Sequence, residues 1–312
     1  MRKRFKKTRD PSGGNGQALR IHNSLAAYLY LLPALLTLVI FLLFPLASVL
    51  RMGFYENYNY MLDKGTGFGL RSFEYVLNDP TFHLAVKNTL IIVGIGVPVT
   101  IVLSLAVALG INSLVRAKGL FQVIYFLPYV TSTFAIGVVF RWLFHSDYGL
   151  VNFLLEKLGL EGQRWLANMD LVMIPVTVLT IWSGLAFKTV LFLAGLQKID
   201  PQLYSAAKLD GTPAWRCFVR ITLPILSPTM WMVTIISVIH GFKTYNEVYG
   251  LFMGTGPGPG NSAITIVYYI FDMFFRQNQV HYASAAALLF LAGVMCLTLL
   301  QRWFSQRFVH YV

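Results

Sequence analysis

Five stretches of this chain each run for more than twenty residues without an Asp, Glu, Lys or Arg: Ile21 to Leu50, Asn88 to Val115, Gly119 to Phe140, Ile221 to Phe242 and Gln277 to Gln301. A sixth, Leu171 to Gln197, is interrupted only by Lys188. A helix rises about 1.5 Å per residue, so about 20 apolar residues cross the hydrocarbon of a bilayer. The composition agrees. Hydrophobic residues make up 56% of the 312 and charged residues 12%, about half the charged share of a soluble domain. That is more apolar surface than a water-soluble fold can hide. A disordered, collagen-like or disulfide-stapled chain is excluded on the same grounds. The reading is an all-α polytopic membrane protein with six transmembrane helices, near residues 25–50, 88–113, 119–141, 171–197, 226–250 and 280–302. Prolines 33, 45, 98, 128 and 175 fall inside these runs, where kinks are expected and loops are not.

Positive charge sets the orientation. With the N-terminus inside, 15 of the 25 Lys and Arg lie on the inner side and nine on the outer, with Lys188 between. Both termini are therefore expected in the cytoplasm. The net charge of +12 reports this bias and not a nucleic-acid partner. Residues 1–20 form a basic tail suited to water or to lipid headgroups, and residues 21–312 the transmembrane domain. The first apolar run is longer than the core of a cleaved leader. Cys217 and Cys296 are too few for a disulfide framework or a metal cluster.

The longest inner loop, 199–224, carries its own punctuation. Asp200 can cap a helix with Pro201 in its first turn, and Gly211 can end it at a positive φ. Thr212 is then expected to cap a second short helix that has Pro213 at its first position. Ala206, Ala207 and Gly211 leave a face small enough for another protein to approach, while Trp215, Phe218, Ile221 and Leu223 can anchor the second helix to the bundle.

This segment resembles the "EAA" loop of binding-protein-dependent ABC importer permeases, roughly E-A-A-x-x-D-G-A, a spacer and F-x-x-I-x-L-P. Ala206, Ala207, Asp210, Gly211, Phe218, Ile221, Leu223 and Pro224 match at the right spacing. Tyr125-Phe-Leu-Pro-Tyr129, Tyr148-Gly-Leu-Val-Asn152, Ala194-Gly-Leu-Gln197 and Gly258-Pro-Gly-Asn-Ser262 resemble its carbohydrate-uptake branch, which includes maltose and glycerol-3-phosphate permeases. Two positions depart: Ser205 stands where the family has Glu, and Thr212 where it has Ala. The resemblance implies a type I importer permease fold in a bacterial plasma (inner) membrane. It implies a second homologous permease subunit, two cytoplasmic ATPases that carry ATP and Mg, and an extracytoplasmic substrate-binding protein. Ser205, Ala206, Ala207, Asp210, Gly211, Thr212 and Pro213 would form the ATPase-coupling surface.

Inside the membrane, Lys188 stands out. It lies nine residues before Gln197, or about 14 Å of helix, near mid-bilayer. A charge there costs at least about 2.5 kcal/mol on insertion scales and must face a cavity or a partner. A snorkelling or subunit-paired lysine and a substrate-facing lysine both satisfy that demand. Two polar stretches, Thr180 to Phe187 and His240 to Glu247, add hydroxyl, amide, imidazole and aromatic groups of the kind that hold sugars. In carbohydrate-uptake members of the family the sugar site draws on the corresponding segments. By that resemblance the candidates here are Thr180, Ser183, Gly184, Phe187, Lys188, His240, Gly241 and Thr244. The cations Lys188, His240 and Lys243 suggest an acidic or phosphorylated glycoside as cargo.

The dipeptide Gly-Lys never occurs, so a phosphate-binding G-x-x-x-x-G-K-[ST] loop is excluded, and no H-E-x-x-H occurs. The chain is expected to bind no cofactor or metal and to be no enzyme itself. The function read from the sequence is the permease subunit of an ATP-driven importer for a sugar, oligosaccharide, polyol or sugar phosphate. The alternative is an ion- or proton-coupled secondary transporter that uses Lys188 as its relay. That alternative needs intramembrane carboxylates, and the spans offer only Glu247 near an outer end.

Overall fold

The computed structural model describes residues 28–114 and 118–308. The basic tail, residues 1–20, and the last residues, 309–312, lie outside that range. The chain divides into two units, residues 1–51 and 52–312. The first holds nearly all of helix α1 (Tyr28–Gly53), and the second holds every other element.

A two-stranded antiparallel hairpin, β1 (Tyr55–Asn59) and β2 (Lys64–Phe68), pairs Asn57 with Thr66. Helices α2 (Arg71–Asn78), α3 (Pro80–Ser113), α4 (Lys118–Val130), α5 (Thr133–Leu143) and α6 (Leu150–Lys157) come after it in the chain. Next are α7 (Met173–Gln197), α8 (Pro201–Leu209), α9 (Ala214–Phe242), α10 (Asn246–Leu251), α11 (Ile266–Phe271) and α12 (Val280–Phe308). Among the described residues five helices, α1, α3, α7, α9 and α12, are long and apolar enough to cross a membrane. One core cluster gathers Ile92 of α3, Phe140 of α5, Leu179 of α7, Leu251 of α10 and Tyr268 of α11, while a second joins Ala108, Phe192 and Leu226.

Two expected spans differ. The third is not continuous but breaks at Thr131 and Ser132 between α4 and α5. The fifth ends at Phe242, and residues 243–245 separate it from α10. α3 also begins earlier than the charge-free run, at Pro80, because Asp79 caps it by accepting from the Thr81 amide at 2.8 Å.

Proline acts on these helices through wide turns. Three π turns, Val39–Leu43, Ile92–Gly96 and Phe218–Thr222, each end two residues before a proline, at 45, 98 and 224. Proline offers no N–H, and its ring collides with the carbonyl four residues back. A local i→i+5 turn opens the backbone there, which lets the helix continue through the membrane. Pro175 needs no such device, since it falls in the first turn of α7.

The loop before α11 is sewn to α3. The Asn88 side-chain amide donates to the carbonyls of Ser262 at 2.8 Å and Ile264 at 2.9 Å, and Thr89 Oγ1 accepts from the Ile266 amide at 3.1 Å. Asn152, on α6, does the same for the loop after α6, accepting from Trp165 Nε1 and the Gln163 amide and donating to the Gln163 carbonyl, and it also donates to the Ser146 carbonyl of the loop before α6. Asn88→Ala strands two loop carbonyls at a cost of about 1–3 kcal/mol each. Hydrogen exchange is expected to rise in residues 257–266, and the thermal midpoint to fall, with the α7–α9 contact region unchanged.

Candidate functional site

On α7, Thr180, Gly184 and Lys188 are spaced by four, so they stack on one buried face. Ser183 and Phe187 lie half-buried on the adjoining flank. The Thr180 hydroxyl donates to the Val176 carbonyl at 2.8 Å and that of Ser183 to the Thr180 carbonyl at 3.1 Å. Both keep lone pairs with which to accept. Lys188 is only 3% exposed, and its ammonium lies over Gly184, in the place a Cβ at that position would occupy. The glycine therefore makes the room the lysine uses. The methyl of Thr100, on α3, closes the other side, 3.5 Å from the same point.

The C-terminal end of α9 supplies the second polar stretch. His240 is half-buried, and its Nε2 stands 3.9 Å from Oε1 of Glu247 on α10. His240 and the buried Glu247 thus form one polar cluster at the junction of α9 and α10, while the Lys243 side chain is exposed. Gly241 serves packing: a Cβ there would press on Val93 Cγ2 at 3.1 Å. Thr244 pins the break after α9, donating to the Gly241 carbonyl at 2.9 Å and accepting at its own carbonyl from Thr265 Oγ1 at 2.6 Å.

Two residues of this region take places that the sequence does not signal. Glu247 reads as an acid near an outer end of its span, yet it is 5% exposed. Tyr129 lies just before the break in the third span and stacks on Phe187 with ring centroids 5.3 Å apart. A helix interrupted at membrane depth is tolerated only where protein or a cavity satisfies the backbone, so the Thr131–Ser132 break marks the flank that Tyr129 and Phe187 share.

The coupling loop has sharper geometry. The Asp200 carboxylate caps α8 by accepting from the Gln202 amide at 2.9 Å, with Pro201 first in the helix. Gly211 takes φ +66°, the Thr212 amide donates to the Ala207 carbonyl at 2.9 Å, and the Gly211 amide to that of Lys208 at 3.2 Å. This pair of bonds is the glycine-terminated helix end that the sequence predicts. Thr212 does not cap the next helix. Pro213 occupies the cap position at ψ 150°, and its ring carries no acceptor with which to make a side-chain bond. Nor is the second helix short, since it continues through the π turn into α9. A 2.9 Å hydrogen bond between the Tyr204 and Thr222 hydroxyls ties α8 to α9.

Of the seven residues expected to form a coupling surface, Ala207 packs inward, Thr212 is half-buried, and Ser205, Ala206, Asp210, Gly211 and Pro213 are exposed. Ser205 Oγ donates back to the Pro201 carbonyl at 3.2 Å. Trp215 does not anchor the bundle as expected: it is 64% exposed, with the Arg216 guanidinium 5.5 Å from its ring. Leu209 is 89% exposed. The face therefore presents apolar knobs beside small residues and cations, a surface that calls for a protein partner.

Comparison with known proteins matches that geometry. The family described as binding-protein-dependent transport system inner membrane component matches residues 96–310. The lactose transport system permease protein LacF of Rhizobium radiobacter is 33% identical over 289 residues, covering 91% of this chain and 95% of that protein. The arabinooligosaccharides transport system permease protein AraP of Bacillus subtilis is 34% identical over 286 residues, covering 91% of this chain and 89% of that one. A crystal structure of a bacterial ABC transporter involved in the import of the acidic polysaccharide alginate shares the fold, with a TM-score of 0.79 at 24% identity over 94% of this chain and 99% of that one. The chain belongs to the inner-membrane components of binding-protein-dependent transport systems, and is a permease subunit of an ABC importer that leaves ATP hydrolysis to separate subunits.

Proposed function

We propose that this permease carries a sugar, oligosaccharide or related polyol past the α7 face of Thr180, Gly184 and Lys188. On this reading it pairs with a second, homologous permease in the plasma membrane, with both termini cytoplasmic. Two ATPases, which hold ATP and Mg, dock on residues 205–213, and an external binding protein delivers cargo from outside. The relatives named for lactose and for arabinooligosaccharides support a saccharide cargo.

The observation that carries the proposal is the continuity of α9. One helix begins at the coupling loop, at Ala214, and ends beside the buried cluster, at His240 to Phe242. Closure of the ATPases pushes α8, the Tyr204–Thr222 bond passes the displacement to α9, and the far end of α9 moves at the pathway. The π turn at Phe218–Thr222 places a bendable joint at the root of this lever. Ser205 replaces an acidic contact with a hydroxyl, so docking here rests more on shape and apolar burial than on charge.

The test is uptake by the assembled transporter in proteoliposomes, with its binding protein outside and ATP inside. ATP-dependent accumulation of a saccharide, abolished by vanadate, is expected. Accumulation driven by an ion gradient without ATP would overturn the proposal.

A further inference from the structure

A cleft of about 690 Å³ opens where α2, the start of α3 and the start of α12 meet, within the range of about 300–1,000 Å³ usual for ligand sites. Arg71, Glu74, Tyr75 and Asn78 of α2, Asp79 at the cap of α3 and Tyr282 of α12 line it. None of the cargo candidates on α7 and α9 does. The cleft also lies far from the coupling loop. α3 runs 34 residues from Pro80 to Ser113, about 50 Å, against about 30 Å of hydrocarbon. Its last residues, Asn112 and Ser113, share a pocket with Tyr204 and Lys208 of that loop. In the proposed orientation the Pro80 end, and the cleft with it, therefore stands in the outer water.

The walls are held by bonds of their own. Val76 of α2 is fully buried in the first core cluster with Ala283 and Ala285 of α12, and the Ser72 hydroxyl donates to the Tyr55 carbonyl at 2.7 Å. The Tyr269 hydroxyl donates to Asp79 Oδ2 at 2.6 Å. Tyr75 and Tyr282 stack with ring centroids 3.9 Å apart and planes 10° from parallel. A site already formed in this way spends little ordering when a ligand enters.

The lining selects the ligand. Among the described residues no group of His, Cys, Asp or Glu could hold a metal ion. Two carboxylates against one guanidinium repel a phosphate or a uronate. What remains is a rigid aromatic pair beside both donors and acceptors. A stack of two leaves each ring one outer face, and Tyr75 is 46% exposed. Arg71 offers a fork of N–H donors whose ion pair with Glu56 is long, at 3.9 Å. The Glu74 carboxylate has no partner among the described residues, and Asn78 gives one N–H to the Glu74 carbonyl and keeps its side-chain oxygen. Sugar rings present C–H faces that stack on aromatics and hydroxyls that need both kinds of partner.

We infer that this cleft is a second saccharide site, outside the membrane, which stacks a neutral sugar ring on the Tyr75–Tyr282 pair and bonds its hydroxyls through Arg71, Glu74 and Asn78. The inference goes beyond the proposed pathway along α7 and does not depend on it. Its consequence is that the transporter binds sugar from outside without a binding protein.

The experiment uses the complete transporter in nanodiscs, with neither binding protein nor ATP, and reads saturation-transfer NMR with lactose, arabinotriose and digalacturonate. The wild type should bind a neutral probe and not digalacturonate. Tyr75→Ala and Glu74→Ala should each weaken that binding about tenfold, while Tyr75→Phe, which keeps the ring, should bind like the wild type. Tyr75 and Glu74 are exposed and belong to neither core cluster, so the variants should assemble. Should Tyr75→Ala not assemble, Glu74→Ala decides.

A neutral probe that binds the wild type and the alanine variants alike occupies another place and overturns the inference. So does a wild type that binds neither neutral probe, or that prefers digalacturonate. Alanine variants that bind sugar normally but capture the binding protein less well would make the cleft a protein contact instead. Uptake tests the α7 pathway and this binding tests the cleft, so the failure of either is read separately.

Discussion

Gly137→Leu is expected to leave no assembled permease in the membrane. Gly137 of α5 and Gly250 of α10 meet backbone to backbone: a Cβ on Gly137 would lie 2.8 Å from the Gly250 Cα, and one on Gly250 would lie 2.6 Å from the Phe134 carbonyl oxygen. Overpacking a core usually costs about 1–3 kcal/mol, because side chains shift to make room. Here the obstacle is main chain on both sides, which cannot rotate away. The crossing also holds Ile136, Phe140, Val248 and Leu251 of the first core cluster, so forcing it apart exposes that cluster as well. Even Gly137→Ala should lower the thermal midpoint. Size-exclusion profiles and melting of the purified complex check both, and a folded Gly137→Leu complex at wild-type yield would show that the two helices do not cross so closely. Gly110, which has open space where its Cβ would be, is the matched control and should tolerate alanine.

Leu209→Asp is expected to do the opposite, leaving the fold intact and uncoupling it from ATP. Leu209 ends α8, is 89% exposed, and belongs to no cluster of the chain's own core. Exposed substitutions ordinarily change stability by no more than about 0.5 kcal/mol. A carboxylate forced into a desolvated protein interface is another matter, since central interface residues carry about 2 kcal/mol or more. That is about thirtyfold in affinity. Uptake should therefore fall by about that factor or more while the permease remains folded. Leu160→Asp, on an exposed leucine of the loop after α6, should leave uptake unchanged.

Much of this architecture is legible in the sequence because the membrane imposes a length rule. Charge-free runs mark where helices cross, and the Asp200-Pro201 start and Gly211 stop mark α8 to the residue, since each of those residue types answers a specific backbone need. The features that are not legible have equally physical causes. The break at Thr131 and Ser132 carries no charge, and its hydroxyls can bond locally to freed backbone, so an apolar run through it looks continuous. The start of α3 at Pro80 is masked because His83 and Lys87 sit on a helix that begins outside the apolar stretch. Glu247 comes soon after Lys243 in a polar segment, so nothing in its neighbourhood predicts burial. Only the fold of α10 against α5 and α7 buries it. Thr212 has the composition of a cap, but the glycine-terminated end of α8 uses its amide instead, and the chain has already turned at Pro213.

Import by this mechanism depends on the coupling loop above all, and the direct measurement is affinity purification of the tagged chain from native membranes, with mass spectrometry and ATPase assay. The wild-type chain should retain an ABC ATPase and a second permease with vanadate-sensitive hydrolysis, and Leu209→Asp should keep the second permease but lose the ATPase. A wild-type chain that purifies with neither ATPase nor ATP hydrolysis, or a Leu209→Asp chain that holds its ATPase at full occupancy, would contradict that mechanism.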